Sequence, residues 1–161
     1  MLVQLIYISV PATGARDSIA KSIAKFRAKN LGCGINTVVL ATDDFFLQLI
    51  EGKREEVNEL YRAISQDPRH TNVTLVRFQE IRKAEFSDCN MIYLHDDDVC
   101  REHIADVCNI TRVNCTQINS ATAASIIRRA AAVVKSHSYP NRRKTDVPAL
   151  FWPSGEAMVS F

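Results

Sequence analysis

An α+β fold is predicted by two features of the sequence. Short apolar, β-branched runs alternate with two amphipathic segments of helical period, and the runs are apolar on both of their faces. Residues 2–9 are the first run, in which Leu2, Ile6 and Ile8 alternate with Val3, Leu5 and Tyr7. Pro11, Gly14 and Asp17 then punctuate the chain. Ile19, Ile23 and Phe26 recur at helical spacing and predict a first helix, stopped by Gly32 and Gly34. Ile35–Ala41 and Phe45–Ile50 flank the polar turn Thr42-Asp43-Asp44, which predicts a β-hairpin ended by Glu51-Gly52. Val57, Leu60, Tyr61 and Ile64 draw one apolar stripe along a charged second helix that stops before Pro68. A fourth strand is expected over residues 72–80 and a fifth over 90–94.

The order βαββαββ places both helices on one face of the sheet, a ferredoxin-like arrangement with an added strand. The other face is apolar too and needs a cover. The C-terminal part supplies one. Asp96-Asp97-Asp98 is an acidic helix start before Val99–Val107, and Ile126, Ile127, Ala130, Val133 and Val134 form a stripe on a second helix over 120–136. Ile126, Ala130 and Val133 are expected to cover Leu2, Ile6 and Ile8. The expected organisation is an α+β unit over 1–95, capping helices over 96–136, and a loosely held tail over 137–161 broken by Pro140, Pro148 and Pro153.

A chain of 161 residues that is 47% hydrophobic and 24% charged can bury one sizeable core. Its net charge of +2 gives no footprint for nucleic acid or an anionic membrane, where one sign should dominate a face. Asn141-Arg-Arg-Lys144 is too short a basic run to change that. The apolar start lacks a basic flank, carries Gln4 and ends far short of the roughly 20 residues of a membrane span, so a cytoplasmic protein is expected. Cys33, Cys89, Cys100, Cys108 and Cys115 are odd in number and contain no CxxC pair, which suits reduced thiols. His95, Cys100, His103 and Cys108 match no zinc spacing, and no metal is expected.

Three polar residues sit where apolar ones belong. Gln48 shares a strand face with Phe46 and Ile50, Asn30 falls four residues after Phe26 on the apolar stripe of the first helix, and Tyr7 shares its face with Val3 and Leu5. A buried amide without partners costs roughly 1–3 kcal/mol. Taken singly, a satisfied core Gln, a helix-ending Asn and an interfacial Tyr are ordinary. Taken together, they aim at the helix-covered side of the sheet and suit a planar heteroaromatic ligand, because an amide offers both a donor and an acceptor edge.

Over residues 1 to about 95 the chain resembles the BLUF family, blue-light sensors that use a non-covalently bound flavin. The resemblance rests on Leu5-Ile6-Tyr7-Ile-Ser9, on Asn30 four residues before Gly34-Ile35, and most specifically on Phe45-Phe46-Leu47-Gln48-Leu49-Ile50-Glu51-Gly52. Gln66-Asp67-Pro68-Arg69-His70 and Phe86-Ser-Asp-Cys-Asn-Met91 add two more blocks in order. It implies FAD as cofactor, Tyr7 as the donor of an electron and a proton to the photoexcited ring, and Gln48 as the amide that rearranges between them. It further implies that Asn30 holds the polar edge of the ring, that Met91 lies near the glutamine, and that Arg69 and His70 lie toward the ribityl-phosphate part. Ile23, Phe46 and Leu60 are expected to close the pocket. Cys89 stands where many members carry a tryptophan linked in the family to signal transmission, and Asn36-Thr37 stands where a Thr-Gly pair is frequent.

The resemblance implies a sensor rather than an enzyme, acting on a downstream signalling protein and forming a homo-oligomer. Two other classes compete: a ferredoxin-like binding module without chromophore, and a flavin-dependent redox enzyme. A visible absorption spectrum separates the first, and turnover with a reductant the second.

Overall fold

The computed structural model describes residues 1–87, 91–95 and 118–137. Its elements are β1 (Leu2–Pro11), α1 (Ala15–Cys33), β2 (Asn36–Ala41), β3 (Phe46–Lys53), α2 (Arg54–Ser65), β4 (His70–Ile81), β5 (Ile92–His95) and α3 (Ser120–His137). The expected helix over 99–107, Cys89, Cys100, His103, Cys108 and the tail beyond His137 lie outside the described residues, as do the side chains of Val133 and Val134.

The strands form one sheet in the order β4-β1-β3-β2-β5. β1 runs antiparallel to both β3 and β4, β2 antiparallel to β3, and β5 parallel to β2. This is the α+β sheet expected, with the fifth strand added beside β2. Side-chain alternation then sorts the two faces. Val3, Leu5, Tyr7 and Ile50 meet Val57 of α2, and Val39 and Phe46 meet Ile19 and Ile23 of α1. Ile6, Ile8, Val38, Leu40, Leu47 and Leu49 meet Ile126, Ile127 and Ala130 of α3. The C-terminal cap is therefore where the apolar second face required it. Leu2, expected beneath it, is only half-buried at the start of β1 and lies outside that cluster.

Two of the boundaries that differ from expectation involve glycine. Gly32 does not stop the first helix. It lies inside α1, and Gly34 caps it at φ 64°, where a side chain is disfavoured. The amide of Ile35 reaches back to the carbonyl of Asn30 at 2.9 Å and closes that turn. Nor does Glu51-Gly52 end the hairpin. β3 continues to Lys53, and α2 follows at once with Glu55 and Glu56 in its first turn, where acidic groups favour the helix dipole. Gly52 permits a close approach of strand and helix end: a Cβ there would sit 3.3 Å from the Gly34 carbonyl oxygen and from Ile35.

Docking of α3 by area burial yields a stability test. Ile127 is fully buried against the sheet, so Ile127→Ala should cost about 2–5 kcal/mol in urea unfolding. Leu31→Ala, at an exposed helix position, should stay within about 0.5 kcal/mol of the parent. Equal small effects would mean that α3 is not docked as described.

Candidate functional site

A cavity of about 250 Å³ opens between α1, α2 and the sheet. Its apolar wall comes from Ile19 and Phe26 of α1, Val39 and Phe46 of the sheet, and Leu60 and Ile64 of α2. Its polar groups are the amides of Asn30 and Gln48, together with Asp67, Arg69 and His70 at one end; Met91 completes the lining. A second cleft, of about 330 Å³, shares Lys29, Asn30, Leu60 and Ala63 with the first and runs on past Arg62 and Gln66.

The β1–β3 register fixes the centre of the site. Tyr7 and Gln48 are directly opposed cross-strand partners, and the Tyr7 hydroxyl donates to Gln48 Oε1 at 2.6 Å. Tyr7 is completely buried behind the cavity wall, and burial pushes its pKa well above the ordinary tyrosine value, with Tyr61 and Asp67 adding to the rise. The group is therefore a phenol, able to donate, throughout the physiological range. Gln48 has one amide atom engaged by Tyr7 while its side chain lines the cavity. Asn30, at the end of α1, is buried and donates through Nδ2 to Thr37 Oγ1 at 3.4 Å.

The charged end is tied together locally. Arg69 Nε spans both oxygens of Asp67 at 2.9 and 3.0 Å, which holds the Asp67 carboxyl below its usual pKa. The same guanidinium lies 5.5 Å over the Phe26 ring, so Arg69 bridges from the α2–β4 turn to α1. His70 packs 5.0 Å from the Phe46 ring and 6.1 Å from Tyr7, and its Nδ1 lies 2.9 Å from Ser9 Oγ. Burial pushes its pKa down, leaving the ring neutral at pH 7.

Of the nine residues singled out, Asn30, Phe46, Gln48, Leu60, Arg69, His70 and Met91 line the cavity, while Tyr7 reaches it through Gln48. Ile23 is set back in the cluster beneath it, and its neighbours Ile19 and Phe26 form the wall instead. Sequence inspection missed Thr37, Ser9 and Arg27, whose Nε donates to the Met91 carbonyl at 3.3 Å. Ser9 and Thr37 do break apolar runs; Arg27 is indistinguishable from any helix-surface arginine.

An apolar slot with two amides on its wall fits a flat ring carrying both donors and acceptors, such as isoalloxazine. The adjoining cleft shares Lys29, Asn30, Leu60 and Ala63 with this slot, so the two form one continuous groove.

The family model for sensors of blue light using FAD matches residues 2–92. The blue light- and temperature-regulated antirepressor BluF of Escherichia coli K12 is 29% identical over 111 residues, which is 66% of this chain and 28% of the antirepressor. The chain thus spans well under half of that relative. The dark-state structure of BlrB, a BLUF protein, superposes with a TM-score of 0.69 at 28% identity, covering 82% of this chain and 96% of BlrB. A bacterial light-regulated adenylyl cyclase shares the fold at a TM-score of 0.62 and 23% identity, over 80% of this chain and 40% of the cyclase. Among the described residues no helix is long and apolar enough to cross a membrane. With its family model spanning more than half of the sequence, the chain belongs to the BLUF family, sensors of blue light that use FAD.

Proposed function

We propose that the chain senses light through the Tyr7–Gln48 hydrogen bond and passes the result, by way of the far face of the sheet and α3, to a protein partner. The observation that carries the photochemical half is the 2.6 Å contact between a fully buried phenol and an amide on the cavity wall. In this reading Asn30 and Gln48 hold the polar edge of the ring, Phe46, Ile19 and Leu60 exclude water from it, and Arg69 and His70 lie toward the ribityl-phosphate part.

Bound FAD supplies the light-absorbing ring and, on excitation, the oxidising power. Loss of an electron turns the Tyr7 hydroxyl into a strong acid, and Gln48 Oε1 is the acceptor already in place for its proton. When electron and proton return to Tyr7, the Gln48 amide is left turned or in its other tautomer, and the atoms it presents to the cavity change. No net chemistry remains. What persists is a different hydrogen-bond pattern, able to bias a two-state element only through contacts that differ between the two states. Met91 lines the same cavity as Gln48 and immediately precedes β5, whose Ile92 and Leu94 pack in the α3 cluster. Residues 1–95 serve as the sensor and α3 as the output element. A downstream protein and self-association are the partners this reading includes.

Protein freed of flavin should turn yellow on incubation with FAD and release it intact on denaturation. Asn30→Ala should weaken binding about 2- to 10-fold, the worth of one neutral hydrogen bond. Material that stays colourless contradicts the assignment of the cavity.

Tyr7→Phe and Gln48→Leu should each retain FAD and lose the reversible red shift that illumination produces. A normal red shift in either variant would mean that the roles are assigned wrongly.

Because burial raises the Tyr7 pKa, photoconversion of folded protein should persist at about pH 10, where an ordinary tyrosine is half ionised. Above that pH the unfolded chain loses the proton first, so stability, and not the photocycle, should decline. Photoconversion yield and circular dichroism recorded together over the alkaline range distinguish the two; a yield falling with a midpoint near the ordinary tyrosine value while the fold persists contradicts the account.

A further inference from the structure

On the sheet face away from the cavity lies a buried carboxylate that the flavin-side chemistry leaves unused. Glu51 stands on β3 three residues beyond Gln48, hence on the opposite face, and is 0% exposed. Such a group is tolerated only when its oxygens are satisfied. Both are: Oε1 accepts from Gln4 Nε2 at 2.8 Å, and Oε2 accepts the backbone N–H of Phe86 at 2.9 Å. Gln4 is the cross-strand partner of Glu51, and its own Oε1 accepts from Gln79 Nε2 at 3.3 Å. Gln79 opposes Gln4 on β4 and accepts in turn from Arg77. One polar row therefore crosses β4, β1 and β3 and ends on the loop that precedes β5.

That loop grips α3 at the same place. Phe86 belongs to the apolar cluster containing Ile126, Ile127 and Ala130. Next to it, Glu85 receives Arg128 of α3 at two points, Nε at 2.6 Å and Nη2 at 3.0 Å. A loop would otherwise absorb small strand movements; here it is bonded to β3 on one side and to α3 on the other.

We propose that Glu51 is the positioning residue of signal transmission: its carboxylate clamps Phe86, so that displacement of β3 or β5 reaches α3 instead of dissipating in the loop. This rests on the reading that light acting at Gln48 is transmitted across the sheet. The row also predicts its own rescue. In Glu51→Gln the amide that keeps its oxygen toward the NH2 of Gln4 turns its own NH2 against the Phe86 N–H and loses the clamp, because the opposite orientation forces turns of Gln4 and Gln79 and breaks the contact with Arg77. Adding Gln4→Glu removes the conflict. The amide now at position 51 donates to the carboxylate now at position 4, which still accepts from Gln79.

The experiment is amide hydrogen exchange of the FAD-loaded full chain in dark and light, read at residues 120–131 and set against the red shift of the same sample. The parent should show a light-dependent change in protection there. Glu51→Gln should keep its red shift and lose that change, and the Gln4→Glu/Glu51→Gln pair should recover it, which a merely structural defect would not allow. Arg128→Ala, at an exposed position of α3, should reduce the change as well. Glu51→Gln with red shift and α3 response both intact overturns the proposal, as does failure of the paired variant to recover. Should the Glu51 variants not fold, an undiminished response in Arg128→Ala overturns it. A parent with a red shift but no response at α3 refutes the transmission reading itself, and is thereby distinguished from failure of the Glu51 clamp alone.

Discussion

The register of β1 against β3 is the constraint on which the rest depends. It sets Tyr7 opposite Gln48 on a strand pair buried on both faces, and a slip of one residue would turn every side chain of one strand to the other side. Hydrophobic alternation enforces the pairing: Val3, Leu5 and Ile50 belong under α2, and Ile6, Ile8, Leu47 and Leu49 under α3. A fully buried phenol facing an amide on the cavity wall then has strong reason to bond to it, since an unpaired buried polar group is costly. The hydrogen bond is thus a consequence of the packing, and the cavity beside it makes the bond sensitive to what occupies that space.

A sheet covered on both faces also gives the proposed rearrangement of Gln48 a route out of the site. β3 carries Gln48 on one side and Glu51 on the other, so the strand that faces the ring is bonded, through the loop before β5, to the helix behind it. Close packing of both layers leaves little room for a displacement to be absorbed. The far-face row of Gln79, Gln4 and Glu51 is polar in a layer that is otherwise apolar, and specific hydrogen bonds of this kind fix relative position more narrowly than side-chain packing does.

The element order, both helix stripes and the need for a C-terminal cover were legible, because period and alternation report burial directly. Tyr7, Gln48 and Asn30 stood out for the converse reason, as polar groups among apolar ones. Glycine was the weaker guide. Gly34 ends α1 because a positive φ is needed there, whereas Gly32 lies in the helix and Gly52 in the strand, its missing Cβ making room for the Gly34 carbonyl. Sequence spacing does not distinguish those uses. Glu51 looked like a charge ending a strand; only the fold brings the amides of Gln4 and Phe86 to it. Ile23 and Ile19 occupy the same stripe one turn apart, and which of them meets the cavity depends on the rotation of α1.

The most direct test of the central claim is a light-minus-dark infrared difference spectrum of FAD-loaded protein whose glutamine side chains carry isotope labels, with Gln48→Leu as the blank. The account predicts reversible, label-sensitive amide bands that are present in the parent and absent from the blank, because the Gln48 side chain changes its bonding to Tyr7 between the two states. Difference bands confined to the flavin and unmoved by the label would contradict it.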